Sequence, residues 1–217
     1  MRVVVTGTSK GIGRSIAMKF LSQGHKVFGI DIDENSISGT SYSHYRVDAS
    51  KDSNLPDIDD VDILINNAGT QNQLEDNIVN NLETTIACTE KYGLRQGIKA
   101  IVNIASTSAH NGAEFPRYAA SKGAVLAYTK WTALEVAAYG ATCNSVSPGG
   151  VCTSSNMRIL SNDKLYREVL NETLLNKWAD PEEIAEWVYF IAVVNKSMTG
   201  QDIIIDNGET SKANFIW

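Results

Sequence analysis

Short apolar runs alternate along the chain with longer segments whose apolar residues recur with a helical period. Such runs predict buried strands, and the longer segments predict amphipathic helices. Regular strand–helix alternation favours an α/β fold, a doubly wound parallel sheet with helices on both faces in three α/β/α layers. The predicted strands are Val3–Val5, Val27–Ile30, Ile63–Ile65, Ala100–Ile104, Thr142–Val146 and Ile203–Ile205, with Tyr45–Val47 as a weaker candidate, and the predicted helices are Arg14–Ser22, Ile78–Leu94, Ala119–Tyr139 and Glu182–Val193.

Capping residues and breakers mark several boundaries. Asp180 before Pro181 is typical of a helix start, and Gly140 is typical of the residue after a helix end. The Ser-rich segment Asp33–His44 has no helical period and is predicted to be a loop. No repeat or linker divides the sequence, so residues 1–217 are expected to form a single domain.

Composition excludes several classes of function. The chain has 217 residues and a net charge of -6 without basic runs, so neither nucleic acid nor an anionic membrane is an expected partner. No apolar stretch approaches the roughly 20 residues of a membrane span, and Val3–Val5 reads as a strand rather than a signal peptide. Three widely spaced cysteines indicate reduced thiols and a cytoplasmic protein. The three histidines, which form no cluster, are expected to be structural or surface residues without a metal: His25, His44 and His110.

Three glycines, Gly7, Gly11 and Gly13, lie between the first predicted strand and the first predicted helix. Glycines there permit a tight turn and allow a pyrophosphate to approach the backbone at the helix N-terminus. The alternative is a tight strand–helix turn without a ligand.

Asp31 ends the second predicted strand, where a carboxylate can bind both hydroxyls of an adenosine ribose and repel a 2′-phosphate. Asp33 adds to this repulsion, whereas Lys10 could hold a phosphate. Two carboxylates should outweigh one lysine, so NAD is preferred over NADP; a role for Asp31 as a simple strand-end cap is the alternative.

Tyr118 and Lys122 lie four residues apart and would share one helix face. A positive charge beside a phenol favours the phenolate and makes an acid/base catalyst that works near neutral pH. Ser106 follows a predicted strand just upstream. A packed aromatic side chain is the alternative role for Tyr118.

Together these motifs resemble the short-chain dehydrogenase/reductase family, a group with the Rossmann fold, and the match runs along nearly the whole chain. Five segments carry the resemblance in family order: Thr6–Gly13, Asn66–Gly69, Ile101–Ser106, Tyr118–Lys122 and Ser147–Thr153. The end, Thr199–Gly208, also resembles the last strand of the family.

The resemblance implies an oxidoreductase that transfers hydride between a nicotinamide and a carbonyl or secondary alcohol. Tyr118 would be the general acid/base, Ser106 would hold the substrate oxygen, and Lys122 would bind the nicotinamide ribose and lower the pKa of the tyrosine. Asn81 matches the asparagine that holds a water in the proton relay, with its neighbour Asn80 as the alternative for that role. A further alternative is that Asn80 and Asn81 are only a solvated or helix-capping pair. The implied cofactor-binding residues are Gly7, Ser9, Lys10, Gly11, Ile12, Gly13, Asp31, Asp48, Asn67, Ala68, Gly69, Tyr118, Lys122, Pro148, Gly149, Val151 and Thr153.

The sequence departs from the family where loops and helices are short. Sixteen residues separate Asp31 from Asp48, and the connections Gly69–Asn81 and Asp48–Asp62 are also short. The substrate cannot be identified from the sequence. The cleft is expected to be lined by His110–Arg117 and by Ser154–Lys177, a segment that looks mobile, with Met157, Leu160 and Tyr166 as candidate contacts.

Two other functions stay open. One is a non-catalytic nucleotide-binding regulator on the same fold, and the other is a structural protein whose long helices serve assembly. An epimerase or dehydratase of the extended family would need a longer C-terminal part. A homotetramer or homodimer is expected, since Tyr128, Trp131 and Leu134 add apolar surface to the second long helix.

Overall fold

A computed structural model describes residues 1–72 and 76–212 of the chain. Seven strands form one parallel sheet in the order β3-β2-β1-β4-β5-β6-β7. The strands are β1 Arg2–Thr6, β2 Lys26–Asp31, β3 Tyr42–Arg46, β4 Ile63–Asn66, β5 Ala100–Ile104, β6 Thr142–Pro148 and β7 Asp202–Ile205.

Helices cover both faces of the sheet. The α-helices are α1 Gly11–Ser22, α2 Thr84–Cys88, α3 Ser108–Asn111, α4 Pro116–Val136, α5 Met157–Leu160, α6 Asp163–Leu170 and α7 Pro181–Tyr189. Short π-helical stretches are Ile78–Glu83, Thr89–Gly93 and Phe190–Val194, and 3-10 turns are Asp52–Asn54, Ala137–Tyr139 and Ser154–Asn156. The predicted helix Ile78–Leu94 is therefore confirmed as one continuous run in which α2 lies between two wider turns.

The core has two halves because side chains alternate across the sheet. Val3 and Val5 of β1 are fully buried in one half with Ile184 of α7, whereas Val4 is buried in the other half with Tyr92. Strands covered on both faces must be apolar at successive positions, which is the pattern of the short apolar runs in the sequence.

The order of the strands reverses direction between β1 and β4. The chain leaves β1 outward through β2 and β3, then returns to form β4 on the other side of β1. The loops that follow these two strands diverge, which leaves a crevice at the carboxyl ends of the strands. Parallel sheets bind ligands at such a switch point.

Two expectations about loops were wrong. The segment Asp33–His44 is not entirely loop, because β3 begins at Tyr42. The Tyr42 hydroxyl bonds Thr8 at 2.8 Å and His44 at 3.0 Å, so tertiary contacts bring this polar segment into the sheet. The segment Ser154–Lys177 contains α5 and α6, and the side chain of Asn162 caps α6 by accepting from the Leu165 amide.

The predicted helix boundaries are confirmed. Asp180 precedes α7, and its amide donates to the Glu183 carboxylate at 2.9 Å. Gly140 has a φ of 70° after the 3-10 turn that extends α4.

Candidate active site

A cleft of about 1100 Å³ lies along the carboxyl ends of the strands. Most of the predicted site residues line it, although they come from distant parts of the sequence. These lining residues are Gly7, Lys10, Gly11, Ile12, Gly13, Asp31, Asp48, Asn67, Ala68, Gly69, Ser106, Tyr118, Lys122, Pro148, Gly149, Val151 and Thr153. Ser9 and Asn81 are not among the lining residues.

The glycine loop is shaped by close approaches that exclude side chains. A Cβ on Gly13 would lie 2.0 Å from the carbonyl oxygen of Gly7 and 2.4 Å from Nδ2 of Asn67. Gly7 has a φ of 75°, and its own Cβ would lie 2.7 Å from the same amide. The amide of Asn67 donates to the Thr6 carbonyl at 3.0 Å, so the ends of β1 and β4 are joined.

The first turn of α1 begins in this loop and has no acidic residue or side-chain cap. Its backbone N–H groups and the helix dipole therefore favour an anion at the cleft. A dinucleotide pyrophosphate fits this cradle, because the glycines leave the backbone open to it.

The far end of the cleft is acidic. The Asp31 carboxylate accepts from the backbone amides of Ser9 at 2.8 Å and Asp33 at 2.9 Å, which fixes its orientation. Lys10 forms an ion pair with Asp33 at 2.7 Å, and this contact raises the pKa of Lys10 and lowers that of Asp33. The backbone of Ser9 thus helps to position Asp31.

Asp48 borders the same end of the cleft. Its carboxylate accepts from the hydroxyl of Ser50 at 2.7 Å and from the Ser50 amide at 3.1 Å. The hydroxyl contact is the main cause that lowers the pKa of Asp48, so the group is an anion at neutral pH.

Ser106, Tyr118 and Lys122 meet where β5 ends beside α4. Both α4 side chains are buried, and Nζ of Lys122 lies 5.9 Å from the centre of the Tyr118 ring. Lys122 donates to the carbonyl of Ile104 at 2.7 Å, which ties α4 to the end of β5. The Ser106 hydroxyl bonds Ser108 at 3.2 Å.

The pKa of Tyr118 is shifted in the direction opposite to expectation. Burial raises it to about 12, the Ser106 hydroxyl acts to lower it, and the negative charge of Glu114 raises it further. Burial likewise lowers the pKa of Lys122 to about 8. In the protein alone, desolvation of both groups therefore outweighs the expected effect of the ammonium on the phenol.

Asn81 is buried behind Gly69, in the π-helical stretch that precedes α2. Its side chain accepts from the Thr70 amide at 2.7 Å and donates to the Ser121 hydroxyl at 2.8 Å. A Cβ on Gly69 would lie 2.4 Å from Oδ1 of Asn81 and 3.7 Å from Nζ of Lys122. The neighbouring Asn80 lines the cleft instead. The sequence alone could not decide which of the two matches the relay asparagine of the family.

The outer wall of the cleft comes from both predicted segments, but its lining side chains are not the three candidate contacts. Met157, Leu160 and Tyr166 do not line it, and Nε2 of His110 lies within hydrogen-bond distance, 2.8 Å, of Oδ2 of Asp202. Helix geometry is the reason, because α6 presents Leu165 and Val169 and directs Tyr166 elsewhere. The lining residues of α5, α6 and the following segment are Arg158, Ile159, Leu165, Val169, Glu172 and Trp178.

Sequence reasoning missed one acidic residue of this wall, Glu209, whereas Glu114 lies within the predicted lining segment His110–Arg117. Glu209 follows β7 closely, so its place just beyond a strand end is a signal that could have found it. Glu114 precedes α4 in a turn with a φ of 69°.

Neither a membrane-spanning helix nor a metal site is found in the described ranges 1–72 and 76–212. Their helices are all too short or too polar to cross a bilayer. Within the same ranges, His, Cys, Asp and Glu side chains form no group of three that could hold a metal. Cys88, Cys143 and Cys152 are all free thiols.

Comparison with known proteins identifies the family. A short-chain dehydrogenase family model described as enoyl-(acyl carrier protein) reductase matches residues 7–210. The 3-oxoacyl-[acyl-carrier-protein] reductase FabG of Chlamydia pneumoniae is 33% identical, with 96% of each chain covered. Its alignment spans 241 positions, more than the 217 residues here, so that relative carries segments which this chain lacks.

Other relatives differ in their named substrates. Glucose 1-dehydrogenase of Gluconobacter oxydans is 29% identical, covering 99% of this chain and 93% of that protein. The ligand-free structure of aldohexose dehydrogenase from Thermoplasma acidophilum has a TM-score of 0.88 at 26% identity, covering 100% of this chain and 96% of that one. A 4-hydroxyisoleucine dehydrogenase mutant complexed with NADH and succinate has a TM-score of 0.89 at 27% identity, covering 99% and 100%.

Three findings point to the same activity: the fold, the glycine cradle and the family match over nearly the whole sequence. Hydride transfer between a nicotinamide cofactor and a carbonyl or secondary alcohol is the activity that they support. The chain therefore belongs to the short-chain dehydrogenase/reductase family and is an oxidoreductase.

Proposed function

We propose that Ser106, Tyr118 and Lys122 form the catalytic group of this oxidoreductase and that its preferred cofactor is NAD. The observation that carries the proposal is the convergence of these three residues, from β5 and α4, on the cleft that also contains the glycine cradle. A non-catalytic regulator would not need a buried lysine, whose ammonium is costly to desolvate.

The nicotinamide, when bound, accepts or donates the hydride. In the oxidation direction Tyr118 loses its own proton to solvent, and the resulting phenolate takes the hydroxyl proton of the alcohol as the carbon is oxidised. In the reverse direction the neutral phenol gives its proton to the substrate oxygen. The hydroxyl groups of Ser106 and Tyr118 stabilise the charge that develops on the substrate oxygen. Lys122 holds the nicotinamide ribose, whose hydroxyls favour its charged form.

Asn81 acts in this proposal as a positioning residue. Its amide holds the Thr70 backbone and Ser121, one residue before Lys122, so it fixes the loop around Gly69 against α4. We assign the relay asparagine to Asn81 because it lies beside Lys122 across Gly69.

NAD is preferred because two acids border the cradle at the end of β2. Asp31 is oriented by two backbone amides, and Asp33 engages Lys10. A 2′-phosphate at this position would meet carboxylates, whereas ribose hydroxyls can donate to Asp31. We further infer that the chain works as one domain, since all seven strands belong to one sheet.

Measurement of NADH formation against a panel of secondary alcohols tests the proposal. Tyr118→Phe should lower kcat/KM by at least about 10²-fold while NADH binding, followed by fluorescence, is retained. Tyr128→Phe is the matched control, because it removes a hydroxyl from the same helix outside the cleft. Activity of Tyr118→Phe within a few-fold of wild type would contradict the assignment.

A further inference from the structure

We propose that the substrate end of the cleft selects a neutral polyhydroxylated compound, an alcohol such as a sugar or polyol or its carbonyl form, and disfavours anionic substrates. The inference rests on the proposed function, because it names the substrate class of that site. The reaction is the oxidation of a C–H and O–H pair to a carbonyl: the hydride reduces NAD and the proton goes to Tyr118. Three carboxylates and one aromatic ring on the outer wall carry the argument.

Glu114 is connected to the reacting end of the cleft by hydrogen bonds. Its carboxylate accepts from Nε2 of Gln71 at 2.7 Å and from the Ser108 hydroxyl at 3.1 Å. The Ser108 hydroxyl in turn accepts from Ser106 at 3.2 Å. A negative charge is therefore held within two hydrogen bonds of the group that receives the substrate oxygen.

Glu209 brings a second carboxylate to the same space. Its Oε2 atom lies 2.9 Å from the position that a Cβ on Gly149 would occupy, and the side chain is half-buried. Burial raises the pKa of Glu209, and the negative charges of Asp206, Glu172 and Glu114 raise it further. The three cleft carboxylates are thus near enough to interact.

Cations on the lining residues do not balance these charges. Lys10 is engaged by Asp33 at the far end, and Lys122 is buried at the catalytic end. Arg158 adds one positive charge to the outer wall, against the three carboxylates of Glu114, Glu172 and Glu209. A carboxylate or phosphate placed there would be repelled by the net negative charge, so the wall selects against anionic substrates.

The wall also offers a flat apolar surface. Trp178 lines the cleft against Gly150, where an added Cβ would lie 2.2 Å from the indole ring. Tyr166 packs edge-on against Trp178 with ring centres 5.9 Å apart, which holds the indole in place. An indole face can cover the C–H face of a sugar ring, while carboxylates accept hydrogen bonds from its hydroxyls.

A substrate with a cationic amine could also donate hydrogen bonds to these carboxylates. We favour the neutral polyol because the oxidised nicotinamide and the Lys122 ammonium already place positive charge beside the reacting carbon. A second cation on the substrate would be repelled there.

The test compares matched substrates on one carbon skeleton. Neutral aldoses and alditols, their 6-phosphates and their amino derivatives are assayed for NADH formation with wild type and Tyr118→Phe. We expect neutral members to exceed the phosphates and the amines by at least about tenfold in kcat/KM. Glu209→Gln and Glu172→Gln should each reduce the discrimination against phosphates several-fold, while Glu168→Gln, on α6 but outside the lining, should leave it unchanged.

The outcomes separate this inference from the proposed function. Tyr118-dependent turnover that is faster with phosphates or amines overturns the substrate class alone. A charge discrimination that is unchanged in both glutamine variants overturns the role of the carboxylates. Turnover that does not depend on Tyr118 overturns the proposed catalytic group together with the inference. No turnover of any member while NADH binds overturns the substrate class alone, since the catalytic group is tested on the wider panel of secondary alcohols.

Discussion

Nζ of Lys10 lies 2.7 Å from Oδ2 of Asp33, so this cation of the cofactor loop is already held by a carboxylate. Both groups are partly exposed, and an exposed pair can be broken when a competing anion is bound. The ion pair therefore lowers the attraction of the loop for a 2′-phosphate without removing it. The preference between NAD and NADP then depends on the neighbouring Asp31.

Cofactor choice provides the first prediction. Wild type should prefer NAD over NADP by at least about tenfold in kcat/KM, because Asp31 repels a 2′-phosphate. Asp31→Ala should narrow or reverse this preference, with Lys10 then able to hold the phosphate. Glu34→Ala is the control, since this nearby acid pairs with Arg46. Equal use of both cofactors by wild type would show that Lys10 outweighs the acids.

Lys122→Met tests the cost of burying an ammonium. The pKa of Lys122 falls from its ordinary value of 10.5 to about 8, so between these values the unfolded chain binds more protons than the folded one. The contribution of Lys122 to folding stability therefore rises with pH in this window. The variant should lose at least about 10²-fold in kcat/KM if the lysine holds the cofactor ribose.

Denaturant unfolding of wild type and Lys122→Met at several pH values measures this dependence. The free energy of unfolding of wild type, relative to the variant, should increase by roughly 2 kcal/mol between pH 7 and pH 10. Taking the difference removes the titration of groups common to both proteins. A difference that does not change with pH would contradict the burial of the charge.

The glycine cradle provides a third prediction. Gly13→Ala should weaken NADH binding and destabilise the fold by roughly 1–3 kcal/mol, since its Cβ would lie 2.0 Å from the Gly7 carbonyl oxygen. Gly123→Ala on α4 is the control, because its Cβ would meet nothing within 4 Å and alanine favours a helix. Thermal unfolding and NADH titration measure both effects, and unchanged binding by Gly13→Ala would contradict the close approach.

Oligomerisation provides the fourth prediction. On α4, Trp131 is 43% exposed and Leu134 is 76% exposed, and Trp131 stacks on Tyr128 at 5.3 Å. This apolar surface is available to a second copy, so we expect a homodimer or homotetramer. Trp131→Glu should reduce the mass in light scattering, while Met18→Glu, an exposed residue of α1, should not. A mass near 23.6 kDa for wild type at micromolar concentration would contradict the assembly.

The sequence by itself determined the fold class and most of the residues that line the glycine-loop end of the cleft. Strands such as Ala100–Ile104 are buried on both faces, so they must be apolar throughout and can be recognised without tertiary information. Gly7 and Gly13 are likewise local signals, since a tight turn between a strand and a helix requires glycine. The carboxyl ends of parallel strands then bring these motifs to one edge of the sheet.

The tertiary structure alone decided which side chains of the outer wall face the cleft and how the groups of the site ionise. The cleft face of α6 depends on packing, and Leu165 rather than Tyr166 is directed inward. Glu114 and Glu209 are far apart in the chain, and only folding places their charges together. The pKa of Tyr118 is raised because burial removes water from the phenol, and desolvation depends on the neighbours that a side chain acquires in the folded protein.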